Sequence, residues 1–177
     1  MDSINKNQPE QNTENLAGDK AIEKIKELSK KAGSCFLCTR INSGSFCTRP
    51  MSVEQIDDDG NVWFLSASDS HKNKEISEDP SVQLLFQGSA HSDFLSLNGE
   101  AEILTDKNKT EELWNPIMKA WFTEGKDDPR ITLIKVLIKS GYYWDTKHAQ
   151  PVALLKTAIG ALTGKTLDDS IEGKIIV

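Results

Sequence analysis

Residues 94–104, FLSLNGEAEIL, alternate without a break. Leu95, Leu97, Gly99, Ala101 and Ile103 fall on one side, and Ser96, Asn98, Glu100 and Glu102 on the other. Successive side chains of a strand point to opposite faces, so this run is a half-buried antiparallel strand. It needs a sheet with one face on a core and the other toward water. Ser81 to Gln87 is a second apolar strand just before it, and Gly88 to Asp93 joins the two as a hairpin. His91 sits in that connection and reads as an exposed loop histidine.

Upstream, NVWFLSAS carries a third strand, with Val62 and Phe64 on one face and Trp63 and Leu65 on the other. Trp, Phe and Val suit a pleated, packed surface, and apolar residues on both faces predict a strand covered on both sides. Ser70 is placed to cap a helix over His71 to Glu78, which Asp79-Pro80 ends. A helix start offers unpaired N–H groups and a partial positive charge, and His71 and Lys72 add cationic groups there. Lys72 and Lys74 are equally accounted for as solvated surface lysines. Ser34 to Arg40 and Phe46 to Val53 form a further hairpin through INSGS, and Ile131 to Tyr143 is another strand rich in β-branched residues.

Helices surround these strands. Asp19 to Ala32 has Ala21, Ile22, Ile25 and Leu28 at helical spacing, with Asp19 able to cap it and Gly33 to stop it. Asp106 to Phe122 is helical, and Pro116 must kink it or begin a second helix. Pro151 opens an apolar helix through Leu162. About six antiparallel strands with three or four peripheral helices predict a mainly β (β+α) fold, a small barrel that removes its own sheet edges. Residues 1–18 are polar and read as a disordered tail, 19–164 as one domain, and 165–177 as a C-terminal tail whose state the sequence leaves open.

Several functions fall away on composition. The 177 residues carry a formal charge of −6 and a pI near 5.1, which argues against nucleic acid as a partner. No run is long and apolar enough for a membrane span, and the polar opening MDSINKNQPEQ does not resemble a signal peptide, so a cytoplasmic location is expected. Cys35, Cys38 and Cys47 are then free thiols. Positions 35 and 38 of a strand face opposite ways and no second CxxC follows, so a metal site is not expected. Gln55 to Gly60, with Asp57-Asp58-Asp59, reads as a solvated turn, since it lacks the alternating ligands and distal Glu of a calcium loop.

The order "strand, Phe-Leu-Ser, four residues, His-Lys, short helix, Asp-Pro-Ser-Val, strand", preceded by Arg49-Pro50-Met51, resembles the pyridoxamine 5′-phosphate oxidase family of flavin-binding split barrels, in its general stress protein branch. The resemblance spans roughly Ala21 to Asp145. It implies a six-stranded antiparallel split β-barrel, a homodimer and an FMN site at the subunit interface, with FAD as the other flavin to test. Arg49 is then similar in place to the arginine that reaches the flavin phosphate or ring edge. Pro50 and Met51 would present backbone groups beside the isoalloxazine. Leu65 and Ser66 stand where the family has Tyr-Thr, and Ser70 and Lys72 match its phosphate-binding Ser and Lys. His71 replaces an arginine, exchanging a fixed bidentate cation for one charged part of the time, so weaker flavin retention is expected. Trp144 falls where an aromatic covers the flavin.

One departure separates this chain from the true oxidases, which grip pyridoxal phosphate with an Arg-Leu-His-Asp-Arg-like segment. After Trp144 the chain reads Asp-Thr-Lys-His-Ala-Gln-Pro, with only Lys147 and His148 as candidates. No catalytic acid, base or nucleophile is identifiable. An FMN-dependent oxidoreductase of an unknown small substrate and a non-catalytic flavin-binding or storage protein both remain, with a barrel holding haem or a deazaflavin as a third reading.

Overall fold

A computed structural model describes residues 11–90, 92–147 and 169–177. The expected helix from Pro151, and His91 and His148, lie outside the described residues.

Helix α1 (Asp19–Ala32) has the expected bounds and buries Ala21, Ile25, Leu28 and Ser29. Its cap differs from expectation: Gly18 occupies the N-cap position without a side-chain bond, and Asp19 lies inside the first turn, where its charge favours the helix dipole. Gly33 ends the helix in the left-handed conformation at φ 69°.

Strands β2 (Ser34–Thr39) and β3 (Cys47–Ser52) form the predicted antiparallel hairpin. Beyond them come β4 (Gln55–Ile56), β5 (Val62–Ala67), α2 (His71–Glu78), β6 (Ser81–Gln87) and β7 (Phe94–Leu104). Helix α3 (Lys107–Leu113) is shorter than its 17-residue expectation. Asn115 caps a separate 3-10 turn over Pro116–Ala120, the second helical start that Pro116 demands. Strand β8 (Ile131–Thr146) outruns its expectation, and β9 (Ser170–Ile176) makes the C-terminal stretch a strand.

The sheet runs β1-β9-β8-β7-β6-β2-β3, where β1 is Leu16–Ala17. Strand β5 also pairs with β8, over Ile131–Val136, and carries β4 on its other edge. The six strands foreseen are β2, β3, β5, β6, β7 and β8, joined antiparallel; β1, β4 and β9 are additional. The sheet does not close: β3 ends the path with its outer edge unpaired among the described residues.

Alternation holds where it was read. Leu95, Leu97 and Ala101 are buried with Leu84, Val82, Phe64, Val136 and Ile25 in one core. Cys35 belongs to that core, and burial pushes its thiol up to about 12. At Gly99 the β7–β8 register shifts, and a Cβ there would lie 2.3 Å from the Leu137 carbonyl oxygen. A glycine is required for that close approach.

The N-terminal stretch is a correction to the expected tail, as far as it is described. Glu14 N–H donates to the Glu172 carbonyl, Leu16 is buried, and β1 runs parallel to β9. A Cβ at Gly173 would stand 1.8 Å from the Glu14 carbonyl oxygen, so the crossing depends on the missing side chain. The Tyr143 hydroxyl donates to that same carbonyl at 2.9 Å.

No described helix is long and apolar enough to cross a membrane.

Candidate functional site

Strand β3 sorts its residues onto two faces. Arg49 stands opposite Leu37 and Pro50 opposite Phe36, so consecutive residues of Arg-Pro-Met look into different surroundings.

On the Arg49 side, the guanidinium is gripped at two nitrogens. Nη1 donates to Thr39 Oγ1 at 2.8 Å and Nη2 to Glu75 Oε2 at 2.7 Å. Thr39 Oγ1 in turn donates to Glu75 Oε2 at 2.5 Å, which closes the triangle. Burial disfavours the Glu75 carboxylate, but hydrogen bonds from Thr39 and Arg49 outweigh it and hold the carboxyl below its ordinary range. Glu75 reaches this position because it lies on α2, three residues past Lys72 and therefore on the same helix face.

Lys72 completes the arrangement. Its ammonium is destabilised first by burial and then by the nearby Arg49 charge, with Asp69 opposing, so its pKa falls below the usual lysine value. It makes no ion pair among the described residues. Arg49, bridged to Glu75, and Lys72, in the field of Asp69 but bridged to no carboxylate among the described residues, thus stand within electrostatic reach of each other. An unbridged cation at a helix start suits an anion.

The serines have a different local task. Ser70 caps α2, accepting from Asn73 N–H. Ser66 Oγ and Ser70 Oγ donate to Asn73 Oδ1 at 2.7 and 3.1 Å, Asn73 Nδ2 donates to Thr132 Oγ1 at 2.8 Å, and Thr132 Oγ1 donates to the Ser66 carbonyl at 3.0 Å. This buried network ties α2 to β5 and β8 and so fixes the direction in which Lys72 and Glu75 project. Asn73 lies in the first turn of α2, and its role as the hub of this network is not singled out from the sequence.

Pro50 lies on the other face, in an apolar groove of about 510 Å³ with Phe36, Leu85, Phe94 and Trp144. The register explains the stripe: Pro50, Phe36 and Leu85 are cross-strand neighbours, and Phe94 pairs with Trp144. Trp144 also packs on Tyr142, with centroids 4.7 Å apart. Phe36 is 54% and Trp144 42% exposed, an unusual cost for aromatics on a sheet face. Met51 turns inward and packs on the core. Leu65 packs on a second cluster of Met118, Phe122 and Ile131, so β5 is covered on that face as expected. His71 is exposed at the start of α2.

The structure thus brings Arg49 and Lys72 together and Ser66 and Ser70 together. It puts Pro50 and Trp144 in the groove, and turns Leu65 and Met51 into packing. Thr39 and Glu75 were not singled out from the sequence. The free edge of β3 runs between the charged face and the groove and offers unpaired backbone donors and acceptors beside Pro50 and Met51.

The chain is similar to known proteins. The chain is 27% identical over 156 residues to Protein bli-3 of Neurospora crassa, covering 81% of this chain and 75% of that one. A general stress protein 26 from Jannaschia sp. CCS1 superposes with a TM-score of 0.74 at 25% identity, covering 88% of this chain and 97% of that one. A general stress FMN/FAD binding protein from Xanthomonas citri superposes with a TM-score of 0.59 at 26% identity, covering 70% and 87%. A profile described as "Pyridoxamine 5′-phosphate oxidase like" matches residues 20–168, and by that match, together with its split-barrel fold, the chain belongs to the pyridoxamine 5′-phosphate oxidase-like family.

Proposed function

We propose that this chain binds FMN as a flavoprotein of the general stress branch and acts as an oxidoreductase on a small molecule. The observation that carries the reading is the pair of neighbouring cations, Arg49 on β3 and Lys72 at the start of α2, beside a strand edge unpaired among the described residues and an apolar groove. The groove's volume lies within the ~300–1,000 Å³ of small-molecule sites. A flavin phosphate matches the two cations, and a flat aromatic ring matches the β3 edge with Pro50 and Trp144. The name of the Xanthomonas citri relative, an FMN/FAD binding protein, agrees with this. When bound, the flavin would supply the electron transfer, and the protein would supply binding, orientation and electrostatics.

Arg49 and Lys72 would bind and orient the phosphate. The backbone of Pro50 and Met51 would hydrogen-bond the ring edge, and Trp144 would exclude water from it. The exposed aromatic stripe and the open β3 edge favour a homodimer that covers both, with the flavin between subunits. Turnover of pyridoxamine phosphate is not expected, because no Arg-rich gripping segment follows Trp144.

The first test is the visible absorption spectrum of the purified protein, followed by titration with FMN and FAD. Saturable FMN binding supports the reading; binding of neither flavin sinks it, and haem and a deazaflavin are then titrated. Reduction of the bound flavin by NADH or NADPH, with turnover on an electron acceptor, separates the oxidoreductase from a flavin-storage protein.

A further inference from the structure

We infer that Glu75 is a positioning residue that presents Arg49 to the phosphate of a phosphorylated ligand. The inference rests on the proposed flavin site and deepens it. Arg49 springs from the last strand of the sheet path, whose outer edge pairs with no other strand among the described residues. An arginine side chain on such an edge has many rotamers, and fixing it costs entropy at the moment of binding unless the fold has already fixed it.

Glu75 and Thr39 do that fixing. They hold Nη2 and Nη1 at 2.7 and 2.8 Å, and the Thr39–Glu75 hydrogen bond locks the two acceptors to each other. A guanidinium has five N–H donors in a planar fork. Two are committed here, so the remaining ones form a fixed edge for an incoming anion. Arg49 is partly exposed, its side chain at 22%, and Glu75 is more enclosed at 15%, which is the order expected of a presented group and its anchor. The anchor sits on α2, whose first turn carries Lys72, so one rigid element sets the spacing of both cations.

A carboxylate beside an anion site is costly unless it is neutralised. Here the cost is met by Arg49 itself, and the low carboxyl pKa of Glu75 keeps it ionised across the physiological range. The ligand therefore meets an arginine already oriented. Lys72, which makes no ion pair among the described residues, brings a second positive charge.

The test compares FMN with riboflavin, which differ by the phosphate alone, on wild-type protein, Glu75→Ala and Glu75→Gln. The Ala variant is expected to lose FMN affinity by about tenfold or more, the scale of a charge-assisted hydrogen bond, while riboflavin affinity stays the same. The Gln variant keeps an acceptor for Arg49 and is expected to recover most of the loss. Unchanged or tighter FMN binding by Glu75→Ala overturns the inference. Equal loss for both ligands also overturns it, since that is the signature of a damaged fold. Arginine side-chain ¹⁵N NMR gives a readout that needs no flavin: Arg49 should show resolved, slowly rotating Nη signals in the wild type and averaged ones in Glu75→Ala. If neither ligand binds wild-type protein while those signals are resolved, the flavin assignment fails and the anchoring of Arg49 stands. If the wild-type signals are averaged, the anchoring fails whatever binds.

Discussion

Two charged regions of this molecule use the same side chains to opposite ends. At the seat of α1, Lys24 meets Asp145 at 2.9 Å and Glu27 at 2.7 Å, and Lys31 meets Asp93 at 2.8 Å and Glu27 at 3.0 Å. Two ammonium groups face three carboxylates, and every one is engaged. Burial pulls Lys31 down, but its bonds to Asp93 and Glu27 prevail and hold its pKa above the ordinary value. At α2 only Arg49 is bridged, to Glu75; Lys72 feels Asp69 but bridges no carboxylate among the described residues, and its pKa moves down. Cations that are paired fasten a helix to a sheet. A cation left unbridged is available to something outside the chain.

That contrast can be broken at either region. The largest effect is expected from Asp145→Ala, which removes a carboxylate only 5% exposed and leaves Lys24 with Glu27 alone. A loss of about 3 kcal/mol in urea unfolding is expected, at the lower end for breaking a buried pair because Lys24 can partly rehydrate. FMN affinity should be unaffected in the folded protein. Lys72→Ala should do the reverse, weakening FMN by about 2 kcal/mol on titration without lowering the unfolding midpoint. A midpoint that falls with Lys72→Ala would make that lysine structural.

Acid and alkali separate the regions again. Burial notwithstanding, Lys31 and Lys24 hold Glu27 below its ordinary range, and Lys31 and Ser92 do the same for Asp93. For groups with depressed folded values, the stabilisation is present above the unfolded pKa and is lost as pH falls through the folded one, so the α1 seat should loosen below about pH 4. Burial and the Arg49 charge lower Lys72, so its positive charge is lost at a lower pH than an ordinary lysine's. FMN affinity should therefore decline on raising the pH before an exposed lysine would deprotonate, and titrations at a series of alkaline pH values check this. The smallest effect is His71→Arg, expected to tighten FMN by about 0.5–1 kcal/mol through a permanent charge at an exposed position. Weaker binding would show that His71 does not face the phosphate.

Much of the α2 site was legible because its signals are local. Ser70 as cap, Asp79-Pro80 as stop and Lys72 in the first turn are facts about neighbours in sequence. The two-residue period of 94–104 likewise survives in the burial of Leu95, Leu97 and Ala101. Glu75 was invisible as a partner of Arg49, since 26 residues separate them and only the packing of α2 against β2 and β3 brings them together. Asp145 is likewise not singled out from the sequence, since its partner Lys24 lies 121 residues away on α1. The strand at Ser170–Ile176 was obscured by Gly173, which weakens a strand on propensity and here permits one by contact. Pro50 and Met51 share one expected role beside the ring; pleating parts them onto two faces, Pro50 to the groove and Met51 to the core.

The clasp between the chain's two ends has a kinetic consequence. Lys174 N–H donates to Asn15 Oδ1 across 159 residues of sequence, and the Tyr143 hydroxyl reaches Glu14 across 129. During synthesis, the segment around Asn15 leaves the ribosome long before its partners exist. The sheet from β2 to β8 can assemble first, but β1 has nothing to pair with until β9 has been made. Closing so long a loop is entropically slow and weights the fold toward distant contacts, so the docking of β1 waits for the residues of β9.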